Sequence, residues 1–156
     1  MMTPWNPHAV VENLFSNKLN DEPWFKAHRV TIVEENHGDF ATLMKQNLAQ
    51  IGGVVLVVSV EEITNVETGV AAEVNVVLTA TEGVPINRAR NDFATAMDVA
   101  QAAIQCIADE WWRWDRCEHD SPAEGVLQAR VYFKGMVSII HPADPTEQDA
   151  KLKGDD

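Results

Sequence analysis

The 156-residue chain is short of cysteine, of positive charge and of any long apolar run, and each shortage narrows what it does. Two cysteines, Cys106 and Cys117, are too few for a disulfide framework. Cys106 falls inside a helical pattern and Cys117 beyond its end, so a bridge is geometrically open but not expected in a reducing compartment. No Lys or Arg occurs between Lys45 and Arg88, and 24 acidic against 12 basic residues give a formal charge of -12. Such a surface suits nucleic acid poorly, because duplex binding is dominated by cations that displace counterions. Met1 to Val11 holds two prolines and no apolar signal core. No stretch approaches the roughly 18 apolar residues of a membrane span. Neither a leader nor an anchor is expected.

Site motifs are equally sparse. No Cys-x-x-Cys or His-x-x-x-His pair occurs. Ser16, Ser59, Ser121 and Ser138 lack the flanking glycines of a nucleophile elbow, and Gly83 alone is no phosphate-cradling loop. The densest group of potential ligands is Cys117-Glu118-His119-Asp120, with Cys106 earlier and His141 later. A zinc site needs three or four ligands converging at about 2.0 to 2.3 Å. This spacing matches no strong zinc pattern, so the group reads as a solvated loop, and no metal or cofactor is expected. Glu34-Glu35 and Glu61-Glu62 are adjacent acids on strand patterns, where neighbours point to opposite faces, so neither pair reads as an acid-base couple. His8, His28 and His37 fall on expected termini or loops and read as surface residues.

What is present is periodicity. Hydrophobic residues at 46% and charged residues at 23% fit one soluble globular domain, expected over residues 1–140 and followed by an acidic, flexible tail over 141–156. Asn6-Pro7 opens a short helix carrying Val11, Leu14, Phe15 and Leu19, which Pro23 ends. His28 to Glu34 alternates with Val30 and Ile32 on one face, and Asp39 caps a second short helix closed by Gly52-Gly53. Val54, Leu56, Val58 and Val60 mark a central strand within about residues 53–62. After the turn-rich Thr64 to Gly69, residues 70–80 place Val74, Val76 and Leu78 inward as an antiparallel partner.

A polar loop over Glu82 to Asn91 then leads into a helix expected from residue 92 to 112, about 30 Å long at roughly 1.5 Å per residue. Its stripe is Phe93, Met97, Ala100, Ile104, Ile107 and Trp111. Trp111 is assigned to the core, and Trp112 or Trp114 to a boundary or another chain. Arg113 to Gly125 is polar apart from Trp114. Val126 to Ile140 alternates, with Leu127, Ala129, Val131, Phe133, Val137 and Ile139 on one side and Gln128, Arg130, Tyr132, Lys134, Met136 and Ser138 on the other. At roughly 3.3 Å per residue it extends about 50 Å, so it bends at Gly135 or serves an assembly as well as a core. These parts make an α+β fold: a mostly antiparallel sheet, one long helix across it, and short N-terminal helices.

The order of parts resembles the small tail terminator, or tail completion, proteins of tailed bacteriophages and prophages. Ala72-Glu73-Val74-Asn75-Val76-Val77-Leu78 is similar to that family's strand, Pro85-Ile86-Asn87-Arg88 to its turn, Phe93 through Trp112 to its Ala-rich helix, and the C-terminal amphipathic strand to the one that closes its sheet. The likeness spans about Gly52 to His141; the His119-Asp120 segment and the charged tail depart from it. It implies a non-enzymatic subunit that forms a ring, commonly of six copies, on the head-proximal end of the tail tube, stops tube growth and meets the head connector. The partners would be further copies, the tail tube protein and the connector protein, and the location the virion neck after assembly in the bacterial cytoplasm. An acidic lumen would repel passing DNA within roughly 8 to 10 Å.

Candidate interface residues are Glu61, Glu62, Glu67, Asn87, Arg88, Arg90, Trp112, Trp114, Arg130 and Lys134, with Arg130 and Lys134 pairing to acids such as Glu61, Glu62 or Glu67 of a neighbouring copy. Two alternatives are another non-catalytic phage neck or adaptor module and a small metal-dependent hydrolase using the Cys/His/Asp group.

Overall fold

The computed structural model describes residues 7–35, 53–66, 71–83 and 94–138. Along the chain these form α1 (Pro7–Asp21), α2 (Pro23–Ala27), β1 (Val30–Glu34), β2 (Val54–Val66), β3 (Ala71–Gly83), α3 (Ala96–Ile107), β4 (Trp112–Ala123) and β5 (Val126–Ser138). The strands build one five-stranded sheet in the order β1-β2-β3-β5-β4, with β1 parallel to β2 and every other pairing antiparallel. The expected α+β class and mostly antiparallel sheet are therefore present. The helix expected from Asp39, Glu67, the segment with Asn87, Arg88 and Arg90, and the acidic tail lie outside the described residues.

One face of the sheet carries the main core. Val54, Leu56, Val58 and Val60 of β2, Val74, Val76 and Leu78 of β3, and Ala129, Val131, Phe133 and Val137 of β5 are all buried there, as their alternation requires. Helix α1 adds Val11, Phe15 and Leu19 at intervals of four, one helical face. Phe15 meets the Trp112 ring edge-on at 4.7 Å and the Phe133 ring at 5.8 Å. Each such large side chain contributes about 1.5 to 3 kcal/mol through burial. Pro23 ends α1 as expected and also opens α2, whose N-cap is Glu22. Val33, Val55 and Val57 form a second, smaller buried cluster.

Helix α3 corrects the sequence reading. It has 12 residues rather than the expected span from 92 to 112, beginning at a capping box in which the Thr95 hydroxyl accepts from the Asp98 amide and the Asp98 carboxylate accepts from the Thr95 amide. It stops because Asp109 offers the backbone a competing partner: its Oδ1 accepts from the amides of both Trp111 and Trp112 at 2.8 Å, which turns the chain into β4. The buried face is Ala96, Val99, Ala100, Ala103 and Ile107. Met97 and Trp111 are exposed and Ile104 is half-buried, so the apolar stripe is rotated toward the small residues, which permit close approach to β3 and β5. Glu82, expected in a polar loop, is a buried residue of β3 whose carboxylate accepts from the Ala96 amide at 3.0 Å, in the first turn of α3.

The second correction is larger. The segment expected to be a polar loop is β4, an edge strand of 12 residues paired along β5. Of Trp112 and Trp114, at least one of which was expected at a boundary, Trp112 is the buried residue of β4 and Trp114 is exposed, while Trp111, expected in the core, is also exposed. Gly135 produces no bulge in β5, which stays in continuous register with β3. Its role is close approach: a Cβ there would fall 2.3 Å from Cε3 of Trp112. The absent side chain is the space in which the indole lies.

Candidate assembly surface and charged cavity

The face opposite the main core is buried at Val55 and Val57, and farther along the strands two of the sheet's three register shifts decide which side chains emerge. In β2 the register shifts between Val60 and Glu62, so Val60 pairs with Val76, Glu62 with Asn75 and Ile63 with Val74. Glu61 is the inserted residue. The bulge keeps Glu62 out of the core and returns Ile63 to it, so both acids are exposed on the same side. The expectation that adjacent strand acids diverge fails at this point. In β4 the register shifts between Trp114 and Arg116, with Asp115 inserted; Cys117 then packs against the core and Glu118 faces outward.

The bulges lie on either side of one cavity of about 340 Å³, whose walls include Glu61 and Glu62 of β2, Asn75 of β3, Lys134 of β5, and Asp115 and Arg116 of β4. Arg116 is committed: it bonds Asp115 and Glu118 at 3.1 Å each, and its guanidinium lies 3.8 Å from the Tyr132 ring centroid. Glu118 also accepts from the Tyr132 hydroxyl at 3.1 Å. Arg130 reaches Asp120 at 3.3 Å and Glu118 at 3.7 Å. The hydrogen bond from Arg116, then that from Tyr132, hold the Glu118 carboxyl below its ordinary value.

The candidate interface residues therefore separate. Glu61, Glu62 and Lys134 line one cavity of a single chain, Arg130 takes its acids from the adjacent strand β4, and Trp112 is buried beneath α1. Trp114 is half exposed at the edge. Sequence reasoning missed Trp111 and Met136, both exposed, which line a second concavity of about 310 Å³ with Glu73, Glu110 and Arg113. Trp111 is held in place through Asp109, which Lys18 also bonds at 3.2 Å. Although burial raises the Asp109 carboxyl, the amides of Trp112 and Trp111 and the Lys18 ammonium bring it below its usual value. The signal available in the sequence was the Asp-x-Trp-Trp spacing after an alanine, where a helix yields to a side-chain-bonded turn.

Strand β4 divides the potential metal ligands. Cys117 and His119 pair with the inward residues Val131 and Ala129, while Glu118 and Asp120 pair with the outward Arg130 and Gln128. Cys106 lies on α3, with its thiol against the Lys18 carbonyl. Burial raises both thiols, with Glu22 adding to the effect at Cys106 and Glu118 at Cys117. Among the described residues no three His, Cys, Asp or Glu side chains are grouped to hold a metal ion.

No protein-family model matches the chain, and no curated protein matches it. Among the described residues no helix is long and apolar enough to cross a membrane.

Proposed function

We propose that the chain is a structural subunit of a bacteriophage or prophage tail, forming a homo-oligomeric ring, expected to be a hexamer, that caps the tail tube, ends its polymerisation and joins it to the head connector. The observation that supports this reading best is the β4–β5 hairpin. Among the described residues its outer strand is a 12-residue edge that carries exposed Trp114, with exposed Trp111 just before it and exposed Met136 on β5. An open edge supplies unpaired backbone donors and acceptors, and exposed aromatics supply apolar area; together they suit a subunit completed by neighbours. The order of parts that resembles tail terminators adds to this. The proposed location is the virion neck, with the tube and connector proteins as partners and no nucleic-acid specificity.

Electron microscopy of the purified chain, alone and with its cognate tube protein, tests the reading. Rings at tube ends and tubes of uniform length are expected. A chain that stays monomeric with tube protein present, and leaves tube length unchanged when added or deleted, overturns it. The same surface would serve another neck adaptor, which would bind the connector without limiting tube length.

A further inference from the structure

The geometry points to the free edge of β4 as a self-complementary interface, on which a second copy of the chain pairs antiparallel across a two-fold axis at Cys117. Among the described residues β4 has β5 as its one neighbouring strand, so its other side offers main-chain donors and acceptors. Its charges are ordered along the strand, with Arg113 and Arg116 ahead of Glu118 and Asp120. All four are exposed, and they pair with the outward residues Lys134, Tyr132, Arg130 and Gln128 of β5. Two copies of β4 running in the same direction set like charges side by side, whereas opposite directions set arginines against acids.

The bulge fixes the register. In an antiparallel ladder, opposing residues share a face. With Cys117 opposite its own copy, Arg116 faces Glu118 of the partner subunit. Asp115, the extra residue already skipped in the pairing with β5, is skipped again, and Arg113 then faces Asp120 of the partner subunit. On the other face Trp114, half exposed, lies opposite His119 of the partner subunit. The two-fold axis repeats each contact. Sliding one strand by two residues puts Glu118 against Glu118 or Arg116 against Arg116, and sliding it by one sets the outward row of one copy against the core-facing row of the other. Pro122, which has no N–H to give, lies beyond the matched stretch, as does the register shift between Asp120 and Ala123.

The opposite edge of the sheet gives no comparable match, because β1 has five residues and one charge, Glu34. The charges on β4 are exposed, so they choose the register, while main-chain bonds and the covering of Trp114 hold the pair together. This pair occupies the edge that a ring would use, so it is the form of the chain away from a tube end, and it does not depend on the tail reading.

Sedimentation of the full chain alone over a concentration series tests the pair without tube protein, which keeps its outcome separate from that of ring assembly. A reversible monomer–dimer equilibrium is expected. Arg113→Glu with Arg116→Glu makes all four positions acidic, and Glu118→Lys with Asp120→Lys makes all four basic. Each variant alone should dimerise roughly tenfold more weakly or worse, and an equal mixture of the two should regain the dimer, with circular dichroism checking the fold of each. Oxidation by dioxygen with copper phenanthroline gives a second readout that changes no charge. The Cys106→Ser chain should form a disulfide-linked dimer through Cys117, and the Cys117→Ser chain should not. The proposal is overturned by a chain that is monomeric throughout the series or forms a larger assembly in place of the dimer, by a charge variant that dimerises like the parent, by folded charge variants that stay monomeric when mixed, or by a dimer that gives no Cys117 link.

Discussion

Strands β2 and β4 are nearly equal in length, 13 and 12 residues, and each carries a bulge at an acid, yet they are held in place differently. Strand β2 lies between β1 and β3 and buries Val54 through Val58 in succession, from both faces. Among the described residues strand β4 has one neighbouring strand and one buried residue, Trp112; its other residues are exposed apart from half-buried Cys117. An internal strand is specified by its own side chains, whereas an edge strand is specified by its partner's ladder and a single anchor. The stability of β4 should therefore be concentrated at one position and that of β2 spread along its length.

The largest effect that tests this contrast is at Trp112. Trp112→Ala should lower stability by about 3 to 5 kcal/mol, since it removes the indole between Phe15 and Gly135, and urea unfolding measures it. Substitutions elsewhere on β4, such as Arg113→Ala, should stay within about 0.5 kcal/mol. On β2, Leu56→Ala should cost about 2 to 5 kcal/mol, with Val58→Ala losing stability in the same direction. If Arg113→Ala matched Leu56→Ala, the edge strand would carry the fold as the central one does. Gly135→Ala comes next, at about 1 to 3 kcal/mol of overpacking against the Trp112 ring; near-UV circular dichroism should show the indole displaced.

Smaller still should be single-residue deletions at the bulges. Removing Glu61 or Asp115 leaves Ile63 opposite Val74 and Cys117 opposite Val131, so both variants should fold with milder loss than Leu56→Ala. Deleting Val58 instead reverses the faces of the residues that follow it and should abolish folding. The smallest effect concerns pH. The carboxyls of Glu118 and Asp109 are depressed in the folded chain, so their contribution is present above the ordinary carboxylate range and is lost as pH falls through their lower, folded values. Stability should decline in acid, and Glu118→Gln should flatten part of that decline in denaturation midpoints compared between neutral and acidic pH.

Periodicity revealed α1, β1, the β2–β3 hairpin and β5, because each buries a face at its own repeat: four for Val11, Phe15 and Leu19, two for Val74, Val76 and Leu78. Strand β4 stayed hidden for two reasons. The bulge at Asp115 shifts its alternation by one residue midway, and Trp111 and Trp112 extend the apolar run of α3 past the turn that ends it. The candidate cavity was hidden for a related reason. Glu61, Glu62 and Lys134 were singled out individually, but placing them on one side of one subunit depends on a register shift that no local spacing reports.

What the sequence determined by itself is the class of fold and the buried faces of α1, β2, β3 and β5, because side-chain period and burial are local properties of each of those segments. Only the tertiary structure decided where α3 stops, which tryptophan is buried and which acids meet. Those outcomes turn on contacts distant in sequence: the indole of Trp112 over Gly135, the carboxylate of Glu82 on the first turn of α3, and the ladder of β5 that holds a charged segment as a strand.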